Sequence, residues 1–227
     1  MCGRVTHALT WSELHDLMQL TTEPSTPLLP RFNIAPTQNA PIVRGLEGGG
    51  RELVPMRWGL VPSWAPDLAL GSRMINARCE TVASKPAFRA AFKARRCLVP
   101  ISGFYEWEAR GAGAPKQPWY IHMAHAPGFA LAGLWERWSP REGPTVESFT
   151  IVTTSANELV AKFHERMPVI LAQSDFARWI DIRERDAAKL QALLVPYPAA
   201  EMAAYRVSTL VNRATIDDPR CMVPLQD

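Results

Sequence analysis

Arg96-Cys97-Leu98-Val99-Pro100-Ile101-Ser102-Gly103-Phe104-Tyr105-Glu106-Trp107 decides how this chain is to be read. The first half is a short apolar run that predicts a strand, and after Ser102-Gly103 a second, alternating, aromatic-rich strand resumes at once. Working outward, further strands are predicted over 40–44, 53–60, 119–123, 129–135, 148–155 and 205–211. Helices are fewer and shorter. Thr10-Trp11-Ser12-Glu13 has the form of a capping box ahead of Leu14, Leu17, Met18 and Leu20 at helical spacing. Other helices are expected over 86–93, 157–162 with Ser155 as its cap, 175–179 capped by Ser174, and 186–194. The three prolines within 21–30 require a loop, and the 20 prolines and 13 glycines of the chain favour short strands and turns. The class is α+β, in one domain.

A chain of 227 residues with 47% apolar composition has enough material for a substantial core. A net charge of +3 permits a nucleic-acid partner without requiring one. Cys2, Cys79, Cys97 and Cys221 form no C-x-x-C pair and lie too far apart for a zinc site or a dense disulfide framework, so a reducing compartment is expected. No apolar run approaches the roughly 18 residues of a membrane span, and a soluble intracellular protein is expected.

Within this frame, Glu106 sits between Tyr105 and Trp107, where partial desolvation would lift its pKa into the range of a general acid; the plain alternative is a surface carboxylate. Cys2 follows the initiator directly. Removal of Met1 would leave a cysteine with both a free α-amine, of reference pKa about 7.7–8.0, and a thiol at about 8.5. These two nucleophiles on adjacent carbons suit an aldehyde, because the amine condenses to an imine and the sulfur then closes a five-membered thiazolidine; the plain alternative, favoured by position alone, is an incidental residue in a frayed terminus. In Ile75-Asn76-Ala77-Arg78-Cys79-Glu80-Thr81, an extended backbone would set Asn76, Arg78 and Glu80 on one face, like a site wall. His164 and Arg166 put a proton carrier and a cation near a helix end. Trp58 and Trp64 flank a proline-rich turn beside Arg57, a composition used to stack bases and pair phosphates; Trp58 is expected in the core and Trp64 outside it. His122 and His125 are expected to be structural.

Met1-Cys2-Gly3-Arg4, Arg31-Phe32-Asn33-Ile34-Ala35-Pro36, Arg57-Trp58-Gly59-Leu60, Ile75 to Thr81, Gly103-Phe104-Tyr105-Glu106-Trp107 and His164-Glu165-Arg166-Met167-Pro168, in that order, resemble the SOS-response-associated peptidase (SRAP) family over nearly the whole chain. The resemblance implies a single compact domain over residues 1–227, with a mixed, largely antiparallel, barrel-like β core and peripheral helices. It also implies a function: a sensor of abasic sites in single-stranded DNA, with or without a duplex junction, that forms a thiazolidine crosslink and carries lyase and autopeptidase activity. Carried over by motif, Cys2 is the nucleophile, Asn76 positions its amine, and Glu106 and His164 transfer protons. Arg4, Asn33, Pro36, Trp64, Arg78, Thr153 and Arg166 are then the DNA contacts. No cofactor, metal or membrane is expected, and the protein is expected to be a cytoplasmic monomer that joins the nucleoid during DNA damage. Only Met1 precedes Cys2, so a methionine aminopeptidase would suffice to expose it. Family members often carry consecutive tryptophans where this chain has Trp64-Ala65, and a tryptophan at Phe104, so stacking is expected to be arranged differently here.

Two other readings use the same residues. An N-terminal-nucleophile hydrolase would attack an amide through the Cys2 thiol with Asn76 stabilising the oxyanion. A noncovalent single-strand binding module would bind intact and abasic DNA equally.

Overall fold

The structure, a computed structural model, describes residues 2–22, 27–111 and 113–226. From the N-terminus, β1 (Val5–His7) leads to helix α1 (Trp11–Met18), β2 (Arg31–Ile34), β3 (Asn39–Gly45) and β4 (Arg51–Trp58). Strand β5 (Asn76–Arg78) and helix α2 (Arg89–Ala94) precede β6 (Arg96–Ile101), β7 (Gly103–Glu108), β8 (Gln117–Met123), β9 (Phe129–Trp138) and β10 (Val146–Ser155). Then come β11 (Arg166–Pro168), β12 (Ile170–Leu171), helices α3 (Phe176–Ile180) and α4 (Ala187–Gln191), and β13 (Met202–Arg206).

Strands β10, β4, β3, β6 and β9 pair in succession, and β9 pairs back onto β10, so they close a ring. Ring closure removes the exposed edges that an open sheet would leave. A second, antiparallel sheet runs in the order β13-β8-β7-β1-β2. The α+β class with a barrel-like core is therefore present.

The junction between the sheets is the stretch 96–108. Ser102 alone separates β6 in the ring from β7 in the second sheet. Its Oγ accepts from Ala8 N at 2.7 Å and its N–H donates to Thr6 O at 2.9 Å, which pins the corner to β1. Gly103 is required next, because a Cβ there would lie 2.5 Å from the Tyr120 hydroxyl and 2.7 Å from Ile121 O. β6 is buried along its whole length because it packs on both faces. Cys97, Val99 and Ile101 join Val5, Phe104 and Ile121 in the core shared by ring and sheet, while Leu98 meets Phe92, Phe176 and Trp179 under the helices. Buried Arg96 donates to the carbonyls of Phe92, Lys93, Trp179, Asp181 and Glu184, stitching the ends of α2 and α3 to β6.

The capping box forms: Glu13 N donates to Thr10 Oγ1 at 3.3 Å and Thr10 N to Glu13 Oε2 at 2.8 Å. Elsewhere local expectations yield to tertiary contacts. The helix expected over 157–162 shrinks to a 3-10 turn, Val160–Lys162, and Asn157 Oδ1 rather than Ser155 accepts from Val160 N at 2.9 Å. Ser174 caps nothing, since it lies inside a 3-10 turn that runs into α3. α4 is capped by Asp186 and is shorter than 186–194. The expected closing strand over 205–211 begins earlier and stops at Arg206, where Ser208 caps a 3-10 turn. Of the predicted loop 21–30, residues 21–22 and 27–30 are irregular and the remainder lies outside the described residues. No helix among the described residues is long and apolar enough to cross a membrane.

Candidate active site

Cys2 is buried where β1 enters the shared core, among Val5, Ile34 and Phe104. Strand β5, paired parallel to β10 with Asn76 opposite Ile151, carries the Asn76 amide to it. Asn76 Nδ2 donates to Cys2 O at 2.9 Å, and the buried Oδ1 has no partner among the described residues. Burial pushes the Cys2 thiol well above its ordinary value, with the nearby Glu106 charge adding to the shift. The sulfur is thus held as a thiol.

Glu106 faces the same core from β7 and is 4% exposed. Burial raises its pKa above the carboxylate range, with Lys116 opposing in part. This answers the sequence-level alternative, because Glu106 is not a surface carboxylate. His164, at the end of the Val160–Lys162 turn, is half-buried, and its Nδ1 accepts from Arg166 N at 2.9 Å. Its pKa lies below the ordinary value chiefly through burial, with Lys116 adding. Because Nδ1 accepts this bond, Nε2 is the nitrogen that carries the ring proton.

Two residues that sequence reasoning did not single out complete this wall. Trp119 lies directly across from Glu106 in the β7–β8 register, and its ring packs 5.0 Å from Phe163, the neighbour of His164. Lys116, on the loop before β8, acts electrostatically on both Glu106 and His164. The signal for Trp119 was its place in a strand; which residue it faced depended on register.

Beside this centre, β10 brings Thr153 against Arg78 of β5 and Ser155 against Arg166 of β11. Arg78 is exposed, while Thr153 is 1% exposed and offers its carbonyl to Arg166 at 2.7 Å. Arg166 is also held bidentately by Glu80, which lies in the turn after β5 rather than on an extended face with Asn76 and Arg78. That pairing holds the Glu80 carboxyl at about 2, well below its ordinary value. Trp64 is 58% exposed, whereas Trp58 is fully buried and donates from Nε1 to Ile75 O at 2.9 Å. Pro36 is half-buried on the turn between β2 and β3.

Arg4 and Asn33 belong to a different neighbourhood. Asn33 is fully buried, with Nδ2 donating to the carbonyls of Val211, Arg213 and Ile216. Arg4 donates to Asn33 Oδ1 at 2.6 Å and to Val211 O, and its guanidinium lies 6.0 Å from the Trp107 ring. Asp217 accepts from the backbone N–H groups of Phe32 and Asn33 at 2.6 and 3.0 Å. The segment after β13 thus lies over the outer face of the second sheet, and Asn33 is enclosed beneath it. No group of three or more His, Cys, Asp or Glu side chains among the described residues is placed to hold a metal ion.

The fold brings to one wall a buried cysteine at the second residue, an asparagine bonded to its carbonyl, a buried carboxyl and an imidazole. The chain belongs to the SOS response associated peptidase (SRAP) family, whose model matches residues 1–214. It is 40% identical over 213 residues to abasic site processing protein YoaM of Bacillus subtilis, covering 93% of each chain. With abasic site processing protein HMCES of Gallus gallus it shares 32% identity over 231 residues, 87% of this chain and 67% of the relative. A solved structure of a protein from Bacteroides thetaiotaomicron matches with a TM-score of 0.87 at 25% identity, covering 99% of this chain and 100% of the other.

Proposed function

We propose that the protein processes abasic sites in single-stranded DNA, as a monomer, by forming a covalent thiazolidine through Cys2. What carries this reading is the Asn76–Cys2 hydrogen bond beside a buried Glu106 whose pKa burial raises. The names of the relatives supply the substrate class. Removal of Met1 frees the Cys2 α-amine, and the unpartnered Asn76 Oδ1 is available to orient it.

Glu106 donates its proton to the sugar ring oxygen as the bond from that oxygen to carbon one breaks, and the carbon-one hydroxyl gives its proton to water, which exposes the aldehyde. The Cys2 amine adds to that carbon, and loss of water gives an imine. The sulfur then adds across the imine, forming the C–S bond while the thiol proton passes to nitrogen. His164, with its proton on Nε2, assists these transfers. A thiol held protonated by burial suits this amine-first order. It suits attack on an amide poorly, because the thiolate is the stronger nucleophile. An imine that persists loses the adjacent proton and cleaves the strand by β-elimination, which accounts for weak lyase activity.

Arg78, Arg166 and exposed Trp64 provide the phosphate and base contacts, and Pro36 is a wedge against continuing duplex on one side of the lesion. The test is intact mass of the purified protein before and after incubation with an oligonucleotide carrying one abasic site, alongside Cys2→Ala. A chain lacking one methionine and a Cys2-dependent, heat-stable adduct is expected. A heat-stable adduct with Cys2→Ala would overturn the assignment.

A further inference from the structure

The Glu80–Arg166 pair has an order of exposure opposite to that of an open cation site. Arg166 Nη1 and Nη2 donate to Glu80 Oε1 and Oε2 at 2.5 and 3.0 Å, and Nη2 also donates to Thr153 O at 2.7 Å. The Arg166 side chain is 12% exposed and that of Glu80 52%. The Arg166 Nε is buried and has no partner among the described residues. An anion arriving from solvent therefore meets the carboxylate first and reaches the guanidinium only where Glu80 stands. Next to this pair, Arg78 is exposed and its side chain has no hydrogen bond or ion pair among the described residues. One cation on this edge is open and the other is covered.

A carboxylate that forks a guanidinium has the same planar, two-bond geometry as a phosphate on arginine. We propose that Glu80 is a built-in stand-in for a DNA phosphate: it keeps Arg166 oriented on Thr153 while the protein is free, and a backbone phosphate displaces it on binding. The inference rests on the reading that this edge binds DNA and deepens it by assigning Glu80 a positioning and specificity role. Displacing Glu80 sets a threshold. A strand held loosely gains only Arg78, whereas one docked along the whole edge also takes Arg166. Glu80 thereby favours correctly seated DNA over casual contact, at the expense of overall affinity.

The experiment is equilibrium binding of a fluorescent single-stranded oligonucleotide carrying a reduced, unreactive abasic site, measured across a series of salt concentrations. Wild type, Glu80→Gln, Glu80→Asp, Arg166→Ala and the Glu80→Gln/Arg166→Ala double variant are compared. Glu80→Gln is expected to bind roughly three- to tenfold tighter at low salt. Its log K against log salt line should keep close to the wild-type slope, because in both complexes the same phosphate rests on Arg166 and only the cost of displacing the carboxylate is gone. Glu80→Asp, which keeps the charge on a shorter arm, should fall between, and Arg166→Ala should erase the gain. Salt-dependent binding by wild type with no gain in Glu80→Gln, or with a gain that survives Arg166→Ala, overturns the phosphate-mimic inference and leaves the DNA reading standing. If none of the five proteins binds the oligonucleotide, the DNA reading itself fails and the inference with it.

Discussion

Asn76 and Cys2 meet across 74 positions of sequence through one hydrogen bond, from Nδ2 to the Cys2 carbonyl at 2.9 Å. The donor fixes the main chain on which both the amine and the thiol are carried. Replacing Asn76 with Ala removes that bond and leaves the Cys2 carbonyl without its donor. Loss of one such bond, worth about 1–3 kcal/mol when buried, should slow adduct formation roughly 10- to 100-fold. Single-turnover crosslinking at saturating abasic oligonucleotide measures it. A rate within twofold of wild type would remove Asn76 from this role.

Glu106 provides a pH signature. Burial raises its pKa, so the folded protein retains the proton above the ordinary value of about 4.3. A group raised in this way favours folding fully below its unfolded pKa, and that contribution is lost as pH rises through the folded value. The same sign applies to activity: the proton-donor limb of the crosslinking rate should fall as pH climbs past the folded pKa. In Glu106→Gln that limb should be absent and both formation and reversal slower. Rate profiles of the two proteins that coincide at every pH would exclude Glu106 as the donor.

Asn33 ties the segment after β13 to Arg4 through three carbonyls and one acceptor contact. Asn33→Ala leaves these buried carbonyls and the guanidinium short of partners. A loss of about 2–4 kcal/mol in urea unfolding is expected. The salt slope of DNA binding should stay as in wild type, because a fully buried amide cannot reach a phosphate. A stable Asn33→Ala protein with a reduced DNA affinity would instead support direct contact.

His7 lies on the strand that follows Cys2, fully buried, with neither ring nitrogen partnered among the described residues. Burial lowers its pKa to about 4. A depressed pKa means the stability it allows is present above the unfolded value of about 6.5 and is lost as pH falls toward the folded one. The loss amounts to about 3 kcal/mol over that window. Urea midpoints at pH 7 and pH 4 should therefore converge in His7→Leu relative to wild type. An identical pH response in the two proteins would show that His7 is not the group responsible.

Trp64 and Arg78 should separate by their salt response. Trp64→Ala removes a stacking face worth about 1–3 kcal/mol per base engaged, and should weaken binding by a factor that salt barely alters. Arg78→Ala should lower the slope against log salt by about 0.7, as one phosphate contact is lost. The same titrations read both, and a slope unchanged by Arg78→Ala would take that residue off the DNA path.

Patterns local in sequence determined much of this protein. The α1 capping box formed as Thr10 and Glu13 required, the strands bracketing Ser102-Gly103 were legible from their apolar and aromatic runs, and Trp58 and Trp64 fell inside and outside as their settings indicated. The motif order that resembles the family was also legible in the sequence, and it was this order that raised Cys2 and Glu106 above their plain alternatives. Pairings between distant segments were another matter. Whether Glu106 faces Trp119 depends on strand register, and a slip of one residue would turn it away from the core. That Asn33 is enclosed by the segment after β13 could not be read locally, and Glu80 lost its place beside Asn76 because the chain turns after Arg78 to reach Arg166, 86 residues away. Local propensity governs a few residues at a time, whereas these contacts depend on packing energies that exist only when the ring, the second sheet and the closing segment are assembled together.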